Sequence, residues 1–126
     1  MLRACRRILN PGGRTSFTTI VVPDGLSKSE HRRAARMGPR AVTSTRPINV
    51  LMEAAGFEAI EVDDVTQDFI DTAEAWLKAF ATRAVELRPL LGNEFDYRQR
   101  ARQEMITAAG RGWLRRLLVT GTTPSS

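Results

Sequence analysis

Apolar and polar positions recur with different periods along the chain, and each period predicts an element. Leu2, Cys5, Ile8 and Leu9 fall on one helical face while Arg3, Arg6 and Arg7 occupy the rest, which predicts a helix over 2–9. Asn10-Pro11-Gly12-Gly13 stops it, because Asn and Gly tolerate left-handed backbone and Pro cannot continue the hydrogen-bond ladder. From 14 to 22 the residues are mainly β-branched or aromatic. Ile20-Val21-Val22 is apolar on both faces, the pattern of a strand inside an α/β sheet.

Pro23-Asp24-Gly25 closes that strand, and Ser27 with Glu30 forms a capping-box pattern that opens a short basic helix over 27–37. Gly38-Pro39 breaks it. In "TSTRPINVLMEAAGF" Ser44 or Thr45 is the expected cap and Pro47 sits in the first turn. Ile48, Leu51, Met52 and Ala55 recur at helical spacing and Gly56 stops the helix, which gives a helix over 47–55. The segment 58–66 sets Ile60 and Val62 against Glu61 and Asp63, the alternation of a half-exposed edge strand. A long amphipathic helix is expected over 67–87, closed by Pro89 and Gly92. A second helix over 94–109 follows Asn93 as cap, with Phe95, Met105 and Ile106 as a sparse apolar face. Gly110-Arg111-Gly112 ends it, 113–121 reads as a closing strand, and 123–126 as a disordered tail.

With 126 residues there is room for one domain, and 42% hydrophobic with 26% charged residues is a globular composition. The formal charge of +5 raises nucleic acid as a partner. However, nearly all the basic residues are Arg, Lys occurs only at Lys28 and Lys78, and acids are interleaved with bases through the second half. That describes a mixed solvated surface and argues against nucleic acid. The alternative is a small basic protein holding nucleic acid through Arg32, Arg33, Arg36 and Arg40, or a non-catalytic interaction module. Cys5 is the single cysteine, so no disulfide forms within the chain and no cysteine-based metal site assembles. Asp63-Asp64 and Asp68 with Asp71 lack histidine or cysteine companions, so no metal site is expected. No apolar run approaches the ~18–20 residues that span a bilayer, and the N-terminus lacks a signal-peptide pattern. The expectation is a cytoplasmic protein without a membrane partner.

Two motifs give this order of elements a family likeness. Leu9-Asn10-Pro11-Gly12-Gly13-Arg14 between helix and strand, and Glu53-Ala54-Ala55-Gly56-Phe57 before the next strand, resemble the C-terminal half of a class I S-adenosylmethionine-dependent methyltransferase. Asn10 stands where that family usually has Lys. The resemblance covers nearly the whole chain, and 113–121 resembles the antiparallel strand that closes the family sheet. The implied fold class is α/β, a partial Rossmann-like sheet of three strands with the last antiparallel between the other two, plus an inserted helical pair. As a division of the chain, 1–66 is helix-strand-helix-strand, 67–110 a helical insertion and 111–122 the closing strand.

The resemblance implies S-adenosylmethionine as cofactor of the complete fold, held by a glycine-rich turn after the first strand. No such turn occurs here: Gly110-Arg111-Gly112 precedes a strand instead of following one. No cofactor is therefore expected for this chain alone, and no residue is named as cofactor-binding or metal-binding. The function implied is the substrate-side part of a small-molecule methyltransferase, inactive by itself, with the cofactor half upstream or on another chain. The far edge of strand 14–22 is expected to recruit that half or a second copy. Ligands of open α/β sheets bind beyond the strand carboxyl ends, which makes Thr19, Pro23 and Asp24 candidate substrate contacts. Trp76, Phe80 and Tyr97 on the insertion are further candidates, with core packing as the competing reading. His31, the sole histidine, is the candidate general base, with plain solvent exposure as its alternative.

Overall fold

The computed structural model describes residues 2–38 and 47–124. Among them the order is α1 (Leu2–Ile8), β1 (Arg14–Val21), α2 (Lys28–Met37), α3 (Ile48–Ala54), β2 (Glu58–Asp64), α4 (Thr66–Thr82), α5 (Ala84–Leu91), α6 (Asn93–Gly110) and β3 (Arg115–Thr122). The strands form one sheet in the order β1-β3-β2, with β3 antiparallel to both neighbours. That is the predicted arrangement. β1 runs in register with β3 from Arg14 opposite Thr122 to Val21 opposite Arg115. The β2 ladder slips between Glu58 and Glu61, where Ala59 takes φ 53° in the left-handed region. For a residue with a Cβ such a conformation costs about 1–3 kcal/mol.

One face of the sheet is covered by α1 and α3, whose apolar cluster joins Met52, Ala55 and Phe57 to Val119, with Leu2, Cys5, Leu9 and Phe17 around it. α3 ends in a Schellman motif: the Gly56 N–H donates to the Glu53 carbonyl and the Phe57 N–H to the Met52 carbonyl. Gly56 adopts φ +94°, which its lack of a Cβ permits, and Met52 and Phe57 meet in the core as that motif favours. Gly121 lets α3 approach β3, since a Cβ there would lie 2.8 Å from Met52 Cε and 3.3 Å from Phe57 Cβ. A second cluster packs Ala34, Ala108, Ala109, Trp113 and Leu114 where β1 ends and β3 begins.

β1 carries no neighbour on its outer edge among the described residues. Thr123 N–H donates to the Gly13 carbonyl, so with the register above the odd-numbered residues of β1 face β3 in hydrogen bonding. The N–H and C=O groups of Arg14, Ser16, Thr18 and Ile20 therefore point to the open edge.

Several expectations need correction. Ile8 is 83% exposed and does not share the buried face of Leu2, Cys5 and Leu9, because the core meets only one side of a short helix. The helix expected over 67–87 breaks at Arg83, and Pro89 lies inside α5 instead of ending a helix. The inserted pair is thus α4 with α6, which pack on each other, linked by α5. Asn93 is the first residue of α6, and the cap position belongs to Gly92 at φ 58° with no side-chain cap bond. Pro47 stands at the N-cap of α3, while Ser44 and Thr45 lie outside the described residues. The closing strand starts at Arg115, and Trp113 and Leu114 are buried in the turn before it.

Thr123, expected in a disordered tail, is 4% exposed. Its hydroxyl donates to the Asn10 carbonyl at 2.6 Å and accepts the Gly13 N–H at 2.9 Å, while the Pro124 carbonyl accepts from Gly12 N–H at 3.1 Å. The "NPGG" turn is held by the far end of the chain. Among the described residues no helix is long and apolar enough to cross a membrane. Replacing Thr123 with Val keeps the shape and leaves the Asn10 carbonyl and Gly13 N–H without their partner, so it should cost about 1–3 kcal/mol of unfolding free energy measured in urea. Thr123→Ser should keep most of that stability.

Candidate functional site

The residues named as site candidates are spread over separate surfaces. Thr19 lines a cavity of about 520 Å³ with Leu2, Arg3, Ile48 and Leu51, between α1 and α3 over β1. His31 is exposed and lines another, of about 470 Å³, with Leu26, Lys28 and Arg32. Trp76 borders a third, of about 500 Å³, with Asp71, Thr72, Ala75 and Ala79. These depressions share no residue. Pro23 is half-buried and Asp24 exposed at the carboxyl end of β1.

The core reading of the insertion aromatics holds only for the half-buried Phe80. Trp76 is 55% and Tyr97 67% exposed. The rings of Trp76 and Phe80 lie 5.6 Å apart, one helical turn from each other on α4, and Arg102 of α6 caps Phe80 at 4.8 Å. Position 80 faces α6 while position 76 turns outward, a distinction that apolar spacing does not carry.

Where β1 stops and β3 starts, arginines lie against the buried Trp113. The Ser27–Glu30 capping box forms as predicted, with Glu30 N–H donating to Ser27 Oγ at 3.1 Å and Ser27 N–H to Glu30 Oε1 at 3.0 Å. The Ser27 backbone and then side-chain hydrogen bonds hold the Glu30 carboxyl below its usual range. This box fixes the start of α2 and so aims Arg33 at Trp113, whose ring centroid lies 5.0 Å from the guanidinium carbon. Arg111, in the turn after α6, lies at the same distance from that ring. Arg116 of β3 donates to Thr18 Oγ1 at 2.9 Å and stacks on Phe69 at 5.3 Å. Arg40 lies outside the described residues.

At the neighbouring corner Asp64 accepts from the Thr66 N–H at 2.9 Å and from its hydroxyl at 2.5 Å, and pairs with Arg115 at 3.1 Å. The Thr66 bonds, side chain before backbone, lower the Asp64 pKa, with Arg115 adding to them. Thr66 in turn takes a hydrogen bond from the Arg116 backbone N–H at 3.0 Å, which ties β3 to the start of α4.

Sequence reasoning missed the packing of Arg33 and Arg111 on the buried Trp113. Trp113 read as a strand residue, and the glycines around Arg111 drew attention as a failed nucleotide motif. The meeting of 33 with 111 is tertiary and has no local signal.

No family model matches the sequence, and no curated protein matches it in sequence. Solved structures do match in shape. Phosphoethanolamine N-methyltransferase 2 of Haemonchus contortus, in complex with phosphomonomethylethanolamine and S-adenosylhomocysteine, superposes with TM-score 0.78 at 16% identity over 98% of this chain. A Galdieria sulphuraria protein assigned as a sarcosine dimethylglycine methyltransferase gives 0.79 at 16% over 99%. The cyclopropane synthase MmaA2 of Mycobacterium tuberculosis gives 0.67 at 14% over 97%. The fold is that of part of a class I S-adenosylmethionine-dependent methyltransferase. This chain spans 29%, 47% and 48% of the lengths of those three proteins.

Gly110-Arg111-Gly112 lies at the carboxyl end of α6, where helix carbonyls point outward and disfavour the carboxylate of S-adenosylmethionine. No glycine-rich turn among the described residues follows a strand and opens a helix.

The pH dependence at the Asp64 corner has a definite sign. A carboxyl whose pKa is lowered by folding adds stability above its ordinary value of 3.8, and that stability is lost as pH falls below it. Asp64→Asn should therefore flatten the acid limb of a stability-against-pH curve measured by urea unfolding, leaving the neutral region's slope unchanged. An unaltered acid limb would contradict this assignment.

Proposed function

We propose that this chain is the C-terminal, substrate-side part of an S-adenosylmethionine-dependent methyltransferase acting on a small molecule, and that it is inactive by itself. The observation that carries the reading is the contrast in coverage: nearly all of this chain superposes on 29–48% of each neighbour. The open edge of β1 supports it. Strand 14–21 ends in Ile20-Val21, apolar on both faces, and among the described residues its backbone groups are free along one side.

In this reading a cofactor-binding half, from the same polypeptide or another, adds a strand alongside β1. The present chain contributes part of the sheet and a binding surface at its carboxyl end, near Pro23, Asp24 and the insertion. The Haemonchus enzyme's bound phosphomonomethylethanolamine is an example of the small-molecule class. The reaction is methyl transfer to a nucleophilic atom of the substrate. His31 is exposed within a basic neighbourhood and would serve as a proton acceptor only if the completed fold brings substrate to α2. The single cysteine, half-buried and unpaired, agrees with a reducing cytoplasm.

Isothermal titration of S-adenosylmethionine into the purified chain should give no saturable heat, and light scattering should report self-association through the uncovered β1 edge. Saturable cofactor binding by a folded monomer would overturn the proposal. A proline at Thr18, whose N–H points to the open edge, should reduce self-association several-fold with the β1–β3 backbone bonds retained and only the Arg116–Thr18 side-chain bond lost.

A further inference from the structure

Arg33, Arg111, Arg115 and Arg116 belong to the segments around the end of β1 and the start of β3, and their pairing is uneven. Arg115 is neutralised by Asp64 at 3.1 Å. Arg33 and Arg111 form no ion pair among the described residues. Each instead stacks on the indole of Trp113 with its guanidinium carbon 5.0 Å from the ring centroid, so the two carbons are at most about 10 Å apart. Trp113 is only 8% exposed, while both arginines reach solvent. Arg116 adds a further positive charge, its guanidinium bound to Thr18 Oγ1 and in no ion pair among the described residues.

Stacking has a consequence that a salt bridge lacks. It fixes the plane of a guanidinium while leaving its N–H donors unspent, so the group is oriented and still able to bind. Two such forks held on one indole ring offer their N–H donors to an oxyanion, which accepts paired hydrogen bonds from each. The acid facing Arg33 is Glu30, whose carboxylate already accepts the Ser27 N–H. Against that one acid, the following turns of α2 carry Arg32, Arg33 and Arg36. The local field is cationic, and the site lies at the end of the sheet where open α/β folds take ligands.

We infer that Arg33 and Arg111, held on Trp113, form a clamp for a phosphate-type dianionic group of a small molecule. That this group belongs to the methyl acceptor rests on the function proposed above; the clamp itself does not. Phosphate binding is read without a methyl donor, so failure of the clamp and failure of the methyltransferase reading give different results.

Trp76 is the other tryptophan, so in a Trp76→Phe background the emission reports Trp113. Inorganic phosphate titrated at constant ionic strength should give a saturable emission change, with acetate binding at least about tenfold more weakly. Arg33→Gln and Arg111→Gln should each weaken phosphate binding by about tenfold or more, with Lys28→Gln unchanged. The Lys double variant of Arg33 and Arg111 keeps charge but not the planar stack. It should fall between the parent and the Gln variants, and circular dichroism checks that each remains folded. No saturable response, equal affinity for acetate, or equal loss in Lys28→Gln would overturn the clamp. So would tighter binding of a single-stranded oligonucleotide, with steep log-linear salt dependence and equal reliance on Arg32 and Arg36, since that marks a polyanion surface.

Discussion

Every strand-to-strand hydrogen bond among the described residues runs through β3. β1 and β2 never touch; each is held in the sheet only by the strand between them. The closure is long range, because Arg14 pairs with Thr122 and Glu58 pairs with the same residue from the other side. Bringing such distant segments together costs loop-closure entropy, which the apolar cluster of Val119, Met52, Phe57 and Phe17 must offset. Thr123 then fastens the first turn of the chain to the end of β3, so the same strand fixes the entry to β1 as well as its path.

The two ends of the sheet differ in chemistry. Over the strand starts and middle, α1 and α3 make an apolar layer, with the Arg6 side chain donating to the Gly56 carbonyl at 3.4 Å as a polar tie between the helices. At the other end, alanines of α2 and α6 let backbones approach closely around Trp113, and arginines cover the rim. Small side chains inside and long cations outside give a rigid base with a reactive electrostatic surface. That is a division of labour suited to binding, whereas the proton-transfer groups of the chain remain dispersed.

Local chemistry was legible wherever one residue's geometry decides. The capping box at Ser27 and Glu30, the stop at Gly56 and the turn at Gly12-Gly13 depend on nearest neighbours, and all appear. The sheet order followed from family likeness, since no local pattern says that β3 lies between β1 and β2. What stayed hidden is tertiary. Residues 82–84 favour helix as well as their neighbours do, and the break at Arg83 comes from α5 turning the chain back so that α6 can pack on α4. Asn93 is a good cap residue that loses its place to Gly92, whose positive φ makes the reversal. Thr123 looks like any polar tail residue until the "NPGG" turn is beside it. The Arg33–Trp113–Arg111 arrangement joins residues from opposite ends of the chain, and the Trp alone gave no hint of its partners.

The central position of β3 also sets an order of events on the ribosome. At ~5–20 residues per second, on the order of 5–20 s separate the synthesis of β1 from that of the strand that pairs with it. During that interval Phe17, Ile20 and Val21 stand with the β3-facing edge of their strand unoccupied. The nascent chain is therefore a natural client for chaperones that bind extended apolar segments, and its yield in a cell should depend on them more than that of a fold whose neighbouring strands are made in succession.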